Sequence, residues 1–109
     1  MSERSVPPRG DELLGVLATL ASPHRLRVLA VLSERRRYVS ELARELGISR
    51  PLVQAHLRKL QGAGLVEAHI EVSEDGRAMK YYQVTPFVIE LTPRTIAEAA
   101  RTLTEGARG

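Results

Sequence analysis

The stretch from Ser40 to Val66, SELARELGISRPLVQAHLRKLQGAGLV, constrains the fold of this 109-residue chain more than any other part of it. Residues 41–46 place leucine and alanine three to four positions apart, as an amphipathic helix does. Gly47 follows, where a left-handed backbone can end that helix. Ser49 can then cap a second helix, and Pro51 falls in its first turn. The pattern predicts two short helices joined by a sharp turn.

The second helix of this pair has a packing side and a polar side. Val53, Leu57 and Leu60 recur at i, i+4 and i+7, so they share one face. Arginine and glutamine on another face can bind guanine and adenine edges in a major groove, and further basic residues suit phosphates. We interpret it as a recognition helix; the competing interpretation is an ordinary solvated helix face. The polar residues are Arg50, Gln54, Arg58, Lys59 and Gln61.

A β-hairpin is predicted directly after the recognition helix. Two glycines end the helix, residues 65–72 alternate between apolar and polar side chains, and residues 77–84 are rich in β-forming residues. An Asp-Gly pair between the two runs favours a hairpin turn. The alternation predicts a half-buried first strand. Its buried side would consist of Ala68, Ile70 and Val72.

Two cations of this hairpin wing, Arg77 and Lys80, can reach backbone phosphates or the minor groove beside a helix that lies in the major groove. Glu74 and Asp75 at the tip argue against deep insertion. The competing interpretation is a hairpin that only covers the helical core.

Two helices are predicted before the helix-turn-helix. The first runs from Asp11 to Leu20 and carries a leucine-rich stripe. In the second, Ser22 acts as cap, Pro23 occupies the first position, and apolar residues fall on more than one side, which predicts the central buried helix. They include Leu26, Val28, Leu29, Val31 and Leu32.

A cationic run, Glu34-Arg-Arg-Arg37, ends the second helix. Such a run is usually solvated, and a phosphate contact by Arg36 or Arg37 is the alternative. A very short strand is predicted at Tyr38 and Val39, and Ser40 is the predicted cap of the first motif helix.

The last predicted helix starts at Thr92 and Pro93 and runs to about Leu103. The apolar segment before it, PFVIEL, either adds a strand or packs along the body. Because the first and last helices carry apolar surface beyond what a small core needs, we expect them to form a dimer interface. The residues predicted for this interface are Leu13, Leu14, Leu17, Leu20, Ile96, Ala99, Ala100 and Leu103.

Three segments together resemble the ArsR family of winged-helix transcriptional regulators. They are SPHRLRVLAVL at residues 22–32, VSELARELGISRPLVQAHLRKLQGAGLV at residues 39–66 and GRAMKYYQVT at residues 76–85. The resemblance implies a mainly α winged helix-turn-helix of about five helices with a two-stranded wing. It also implies a homodimer built by the first and last helices, double-stranded DNA as partner, and repression.

The three histidines are His24, His56 and His69. The resemblance implies a structural, hydrogen-bonding role for His24 and a His56 bonded to backbone or phosphate. His69 shares a strand face with Glu71, and the two can bind a divalent cation with a third ligand, although a solvated strand face is the favoured interpretation. Many relatives sense metals or arsenicals through cysteines in the first motif helix or through ligands on the last helix, and neither set is present.

Composition excludes several classes of function. The chain has no cysteine, which excludes disulfides and zinc–thiolate sites within one chain. No apolar run approaches the roughly 20 residues that a membrane span needs, and no secretory signal is visible, so we expect a cytoplasmic protein. A net charge of +3 is compatible with DNA. No paired nucleophile and base or phosphate-binding loop indicates an enzyme, and no cofactor is expected.

The sequence thus predicts a homodimeric, sequence-specific regulator on a pseudo-palindromic operator. A protein-binding winged-helix module with weak or non-specific DNA binding is the alternative. Residues 1–10 are expected to be a flexible arm, residues 11–91 the DNA-binding domain, and residues 92–109 a dimerisation helix and tail. No effector ligand is indicated. The residues predicted to contact DNA are Ser49, Arg50, Gln54, Ala55, Arg58, Lys59, Arg77 and Lys80.

Overall fold

Five helices and three short strands make up the computed structural model, which describes residues 9–104. Most of the predicted arm and the end of the predicted tail lie outside this range. The elements confirm the predicted mainly α fold with a hairpin wing. They are α1 (Gly10–Leu20), α2 (Pro23–Glu34), β1 (Arg37–Tyr38), α3 (Val39–Leu46), α4 (Arg50–Gly62), β2 (Val66–Val72), β3 (Ala78–Val84) and α5 (Pro93–Ala100).

The hydrophobic core lies where α2, α3, α4 and the base of the sheet meet. Its most completely buried side chains come from these three helices, and each contributes roughly 1.5–3 kcal/mol by leaving water. The predicted packing face of α4 is confirmed. These side chains are Val28, Leu42, Val53, Leu57 and Leu60.

The turn between α3 and α4 has the geometry that the sequence predicts. Gly47 adopts a left-handed backbone with φ of 69°, and its N–H donates to the Ala43 carbonyl at 2.9 Å. The Ser49 hydroxyl oxygen then accepts from the Leu52 N–H at 3.3 Å and caps α4. Both ends of the turn are therefore satisfied locally, which fixes where α4 begins.

The start of α3 differs from the prediction. Ser40 does not cap the helix, because β1 ends at Tyr38 and the helix follows at once with Val39. The Glu41 carboxylate, not the Ser40 hydroxyl, accepts from the Tyr38 N–H at 2.9 Å. The short strand likewise lies one residue earlier than predicted.

Helix α2 is less buried than predicted. Ser22 caps it as expected, since its hydroxyl accepts from the Arg25 N–H at 3.3 Å. Val28 and Leu32 point into the core, but Leu26 is 54% exposed. The prediction of a central buried helix is therefore wrong for this side, because no other element of residues 9–104 covers it.

The wing is formed by β2 and β3, which pair antiparallel from Val66 with Val84 to Val72 with Ala78. Only its base is buried, since Val66 packs into the core whereas Ile70 is 70% and Val72 69% exposed. The predicted buried face therefore ends at Ala68. The prediction failed for Ile70 and Val72 because the hairpin extends beyond the helices that would cover it.

The segment after the wing forms no strand, and α5 is shorter than predicted. The Thr92 hydroxyl caps α5 by accepting from the Thr95 N–H at 3.1 Å. The helix stops at Ala100 instead of Leu103 because the following residues form tight turns, with the Thr102 N–H bonded to the Ala99 carbonyl at 3.0 Å.

Helices α1 and α5 pack against each other through a reciprocal pair of contacts. The Gly10 N–H donates to the Thr102 hydroxyl at 2.6 Å, and the Thr104 N–H donates to the Asp11 carboxylate at 3.2 Å. The start of α1 and the chain after α5 thus satisfy each other's free backbone groups. The two helices form one unit beside the main core.

Gly10 is expected to be intolerant of a side chain, because an added Cβ would collide with the Ala99 carbonyl oxygen and lie 2.9 Å from Leu103 Cγ. Gly10→Ala should therefore lower the free energy of unfolding by about 1–3 kcal/mol. Gly15→Ala is the matched control, since its Cβ meets nothing within 4 Å and alanine favours the helix by roughly 0.5–1 kcal/mol. Denaturant unfolding should show changes in the free energy of unfolding of opposite sign for the two variants. Equal changes would contradict the close approach of Gly10 to Ala99.

Candidate nucleic-acid interface

Helix α4 presents a row of polar side chains away from the core. Arg50, Gln54 and Arg58 follow at i, i+4 and i+8, which places them along one side of the helix, and all three are exposed. Lys59 is exposed on the neighbouring side, and Ala55 is half-buried. Within residues 9–104 none of these cations makes a salt bridge.

The wing is attached to the end of α4 by backbone hydrogen bonds. Leu65 N–H donates to the Leu60 carbonyl, and Thr85 N–H donates to the Leu65 carbonyl, both at 2.9 Å. Gly64 makes the connecting bend possible with φ of 77°. The predicted wing cations, Arg77 and Lys80, are both exposed on this hairpin. The two wing cations therefore lie on a hairpin that continues directly from the end of α4.

Arg37 is a structural residue, so the suggestion that it contacts phosphate is wrong. It is only 4% exposed, and its Nε donates to the Glu45 carboxylate at 2.7 Å. Its guanidinium also donates to the Val31 and Arg35 carbonyls at 3.2 and 2.7 Å. Arg37 thereby joins the end of α2 to α3, and the Arg37 hydrogen bond is the main cause that lowers the pKa of Glu45.

Arg36, His69 and Glu71 lie together on the outer face of the sheet. Arg36 forms a salt bridge with Glu71 at 2.9 Å, and its guanidinium carbon lies 3.9 Å from the Tyr81 ring centre. His69 stacks on Tyr81 at 5.4 Å and has Glu67 at 3.4 Å. Glu71 is thus paired with a cation, and no cluster of three or more potential metal ligands occurs in the described part of the chain.

His56 has a different partner from the one that the sequence suggested. Its Nδ1 accepts from Arg25 Nε at 3.3 Å, and its Nε2 is buried without a hydrogen-bond partner among residues 9–104, so its partner is a side chain and not the backbone. His24 lies beside it with ring centres 5.5 Å apart. Burial, then Arg25 and His24, lower the pKa of His56. No local pattern indicates this contact, because 31 residues separate Arg25 from His56.

The residues predicted for a dimer interface divide into two groups. Leu13 and Ala99 are already buried within one chain, and Leu17 and Leu20 are half-buried. Exposed apolar side chains remain on α1, on α5, just after α5, and on the segment before α5, whose placement the sequence left open. They are Leu14, Phe87, Val88, Leu91, Ile96, Ala100 and Leu103. Among the described residues, no helix is long and apolar enough to cross a membrane.

Comparison with known proteins extends these observations. Residues 22–68 match the profile described as bacterial regulatory protein, arsR family. An uncharacterised helix-turn-helix transcriptional regulator of Methanocaldococcus jannaschii is 44% identical over 68 residues, which are 62% of this chain and 70% of that protein. The biofilm growth-associated repressor of Xylella fastidiosa is 30% identical over 74 residues, 68% of this chain and 65% of the repressor.

A solved structure agrees with the sequence matches. It is the homodimeric winged helix-turn-helix DNA-binding domain of a possible ArsR-family regulator from Mycobacterium bovis, with a TM-score of 0.61 and 27% identity. The alignment covers 84% of this chain and 70% of that one. The helix-turn-helix, the wing and the sequence matches lead to one assignment: this chain belongs to the ArsR family of helix-turn-helix transcriptional regulators.

Proposed function

We propose that this chain represses transcription as a homodimer that binds a pseudo-palindromic operator. The observation that carries the proposal is the exposed row of Arg50, Gln54 and Arg58 at positions i, i+4 and i+8 of α4. The opposite, apolar face of α4 is buried in the core. A rigid helix with free arginine and glutamine side chains suits bidentate contacts with guanine and adenine. In a two-fold dimer the two copies of α4 would enter major grooves about 34–36 Å apart.

Homodimerisation is supported by apolar surface that the single chain leaves exposed. Leu14 on α1 and Ile96 on α5 are examples, and the two helices already form one unit. The Mycobacterium bovis neighbour is homodimeric, and the Xylella fastidiosa relative is named as a repressor. Both properties are part of the proposal for this chain, as is a cytoplasmic location, where DNA is accessible.

Affinity should come largely from phosphate contacts. Arg58, Lys59, Arg77 and Lys80 would give about eight such contacts in a dimer, for a slope of log K against log salt of about −7. Sequence preference would come from Arg50 and Gln54 because only base-edge contacts discriminate between sequences.

The first test is a selection of bound sequences from random duplex DNA with the purified full chain, at low and at near-physiological salt. The proposal expects an inverted repeat that persists at the higher salt. Binding that is blind to sequence and disappears with salt would contradict it. That result would favour a protein-binding module, for which the exposed apolar pair Ile70 and Val72 on the wing is the supporting observation.

A further inference from the structure

A single arginine connects the recognition helix to the N-terminal part of the fold. Arg25, near the start of α2, donates from Nε to His56 Nδ1 at 3.3 Å. Another nitrogen of the same guanidinium donates to the Thr19 carbonyl, near the end of α1, at 3.1 Å. The contact therefore links α1, α2 and the middle of α4 through one side chain.

This geometry specifies the protonation state of His56. An arginine side chain is always a donor, so Nδ1 of His56 must be unprotonated, and the neutral ring carries its proton on Nε2. A protonated imidazole has no acceptor and would place a positive charge against the guanidinium. The contact with Arg25 and a charged His56 thus exclude each other.

We propose that Arg25 is a positioning residue that holds the recognition helix through its hydrogen bond to His56. Because this bond forms only while His56 is neutral, acidification weakens operator binding. This inference rests on the proposed DNA-binding function. Its basis is that the Arg25 contact reaches α4 on the same helical turns as the predicted DNA-contacting residues, between Gln54 and Arg58. A helix released on this side changes the angle at which those side chains approach DNA.

The charged and titratable groups that face His56 are Arg25 and His24, both on α2. Burial and these two neighbours hold the pKa of His56 below its ordinary value, in agreement with the neutral ring that the Arg25 hydrogen bond requires. The expected pH dependence of operator affinity is opposite to the usual one. Protonation of a histidine normally strengthens binding to a polyanion, whereas here the loss of the Arg25 contact should weaken it as the pH falls.

The test measures affinity of the full chain for its selected operator from about pH 8 to about pH 5 at fixed salt. Wild type should weaken by about tenfold in acid, the size expected for losing one hydrogen bond to a charged group. Arg25→Met should be about tenfold weaker at the alkaline end and show no further loss in acid. His56→Asn keeps an acceptor at the Nδ1 position and does not titrate, so it should bind well and lack the acid loss.

Further variants test whether His24 causes the acid loss and whether Arg25 acts by contacting DNA directly. His24→Asn should retain the loss, and its disappearance would assign the titration to His24. In a His56→Leu background, Arg25→Met should lower operator affinity little further, because the acceptor of the Arg25 hydrogen bond is already absent. A full additional loss of about tenfold there would mean that Arg25 contacts DNA directly, which would overturn its positioning role.

Wild-type affinity that stays constant or rises towards acid pH would overturn the inference while leaving operator binding intact. Absence of operator binding at alkaline pH would overturn both proposals together. Nitrogen NMR of the imidazoles gives a readout that needs no DNA. It should find His56 in the form protonated on Nε2, and Arg25→Met should raise its pKa.

Discussion

Alanine at both Arg50 and Gln54 is expected to abolish selective operator binding. Each bidentate contact with a base contributes about 1–3 kcal/mol of discrimination, so the pair should account for about 2–6 kcal/mol. Both side chains are exposed, and within residues 9–104 neither forms a hydrogen bond that folding depends on. Fluorescence anisotropy with operator and scrambled duplexes should therefore show affinity for the operator falling close to that for the scrambled sequence.

Arg27→Ala is the matched control for this experiment, since Arg27 is an exposed arginine on the solvent side of α2. It should leave operator preference intact. Thermal unfolding of the double variant should match wild type, which separates loss of recognition from loss of structure. Preserved preference for the operator after both substitutions would show that α4 does not read bases through this row.

Arg37→Met is expected to produce the largest loss of stability among single charge substitutions in the described part of the chain. The methionine keeps an apolar stem but removes the partner of Glu45 and the donors to two carbonyls. Breaking a buried ion pair costs about 3–5 kcal/mol. Glu45 is 36% exposed, so we expect about 2–3 kcal/mol and a fall in Tm of about 10–20 °C.

Arg35→Met is the control two residues away. Arg35 is 57% exposed and forms a surface salt bridge with Glu41 at 3.2 Å, so its loss should change stability by at most about 1 kcal/mol. Similar shifts for the two variants would contradict a buried structural role for Arg37. Because Arg37 keeps the pKa of Glu45 below its ordinary value, the contribution of this pair is complete above that ordinary value and declines as the pH falls below it.

Local patterns in the sequence predicted the elements whose causes are local. The caps at Ser22 and Ser49, the start of α5 at Thr92 and Pro93, the left-handed Gly47 and the packing face of α4 were all predicted correctly, because each depends on neighbours within a few residues. The prediction for Ser40 failed because a strand ends immediately before the helix. A cap can be recognised from composition, but its position depends on where the preceding element stops.

Contacts between distant residues were not predictable in the same way. The run of three arginines after α2 looks uniform in sequence, yet Arg35 lies at the surface, Arg36 lies over Tyr81 and Arg37 is buried. The alternation in β2 correctly predicted a strand but not the length of its buried part. Which side chain of a run is enclosed depends on how far the neighbouring helices extend, and that information is not in the run itself.

The exposed outer half of the wing has a consequence for self-association. In the sheet order β1-β3-β2, strand β2 is an edge, and it carries the exposed Ile70 and Val72. A free apolar edge is a template for pairing with the same strand of another molecule. Here Glu67 and Glu71 alternate with the apolar residues, so two such edges brought together would oppose carboxylates. This alternation of acidic and apolar side chains disfavours edge-to-edge pairing of β2 between molecules.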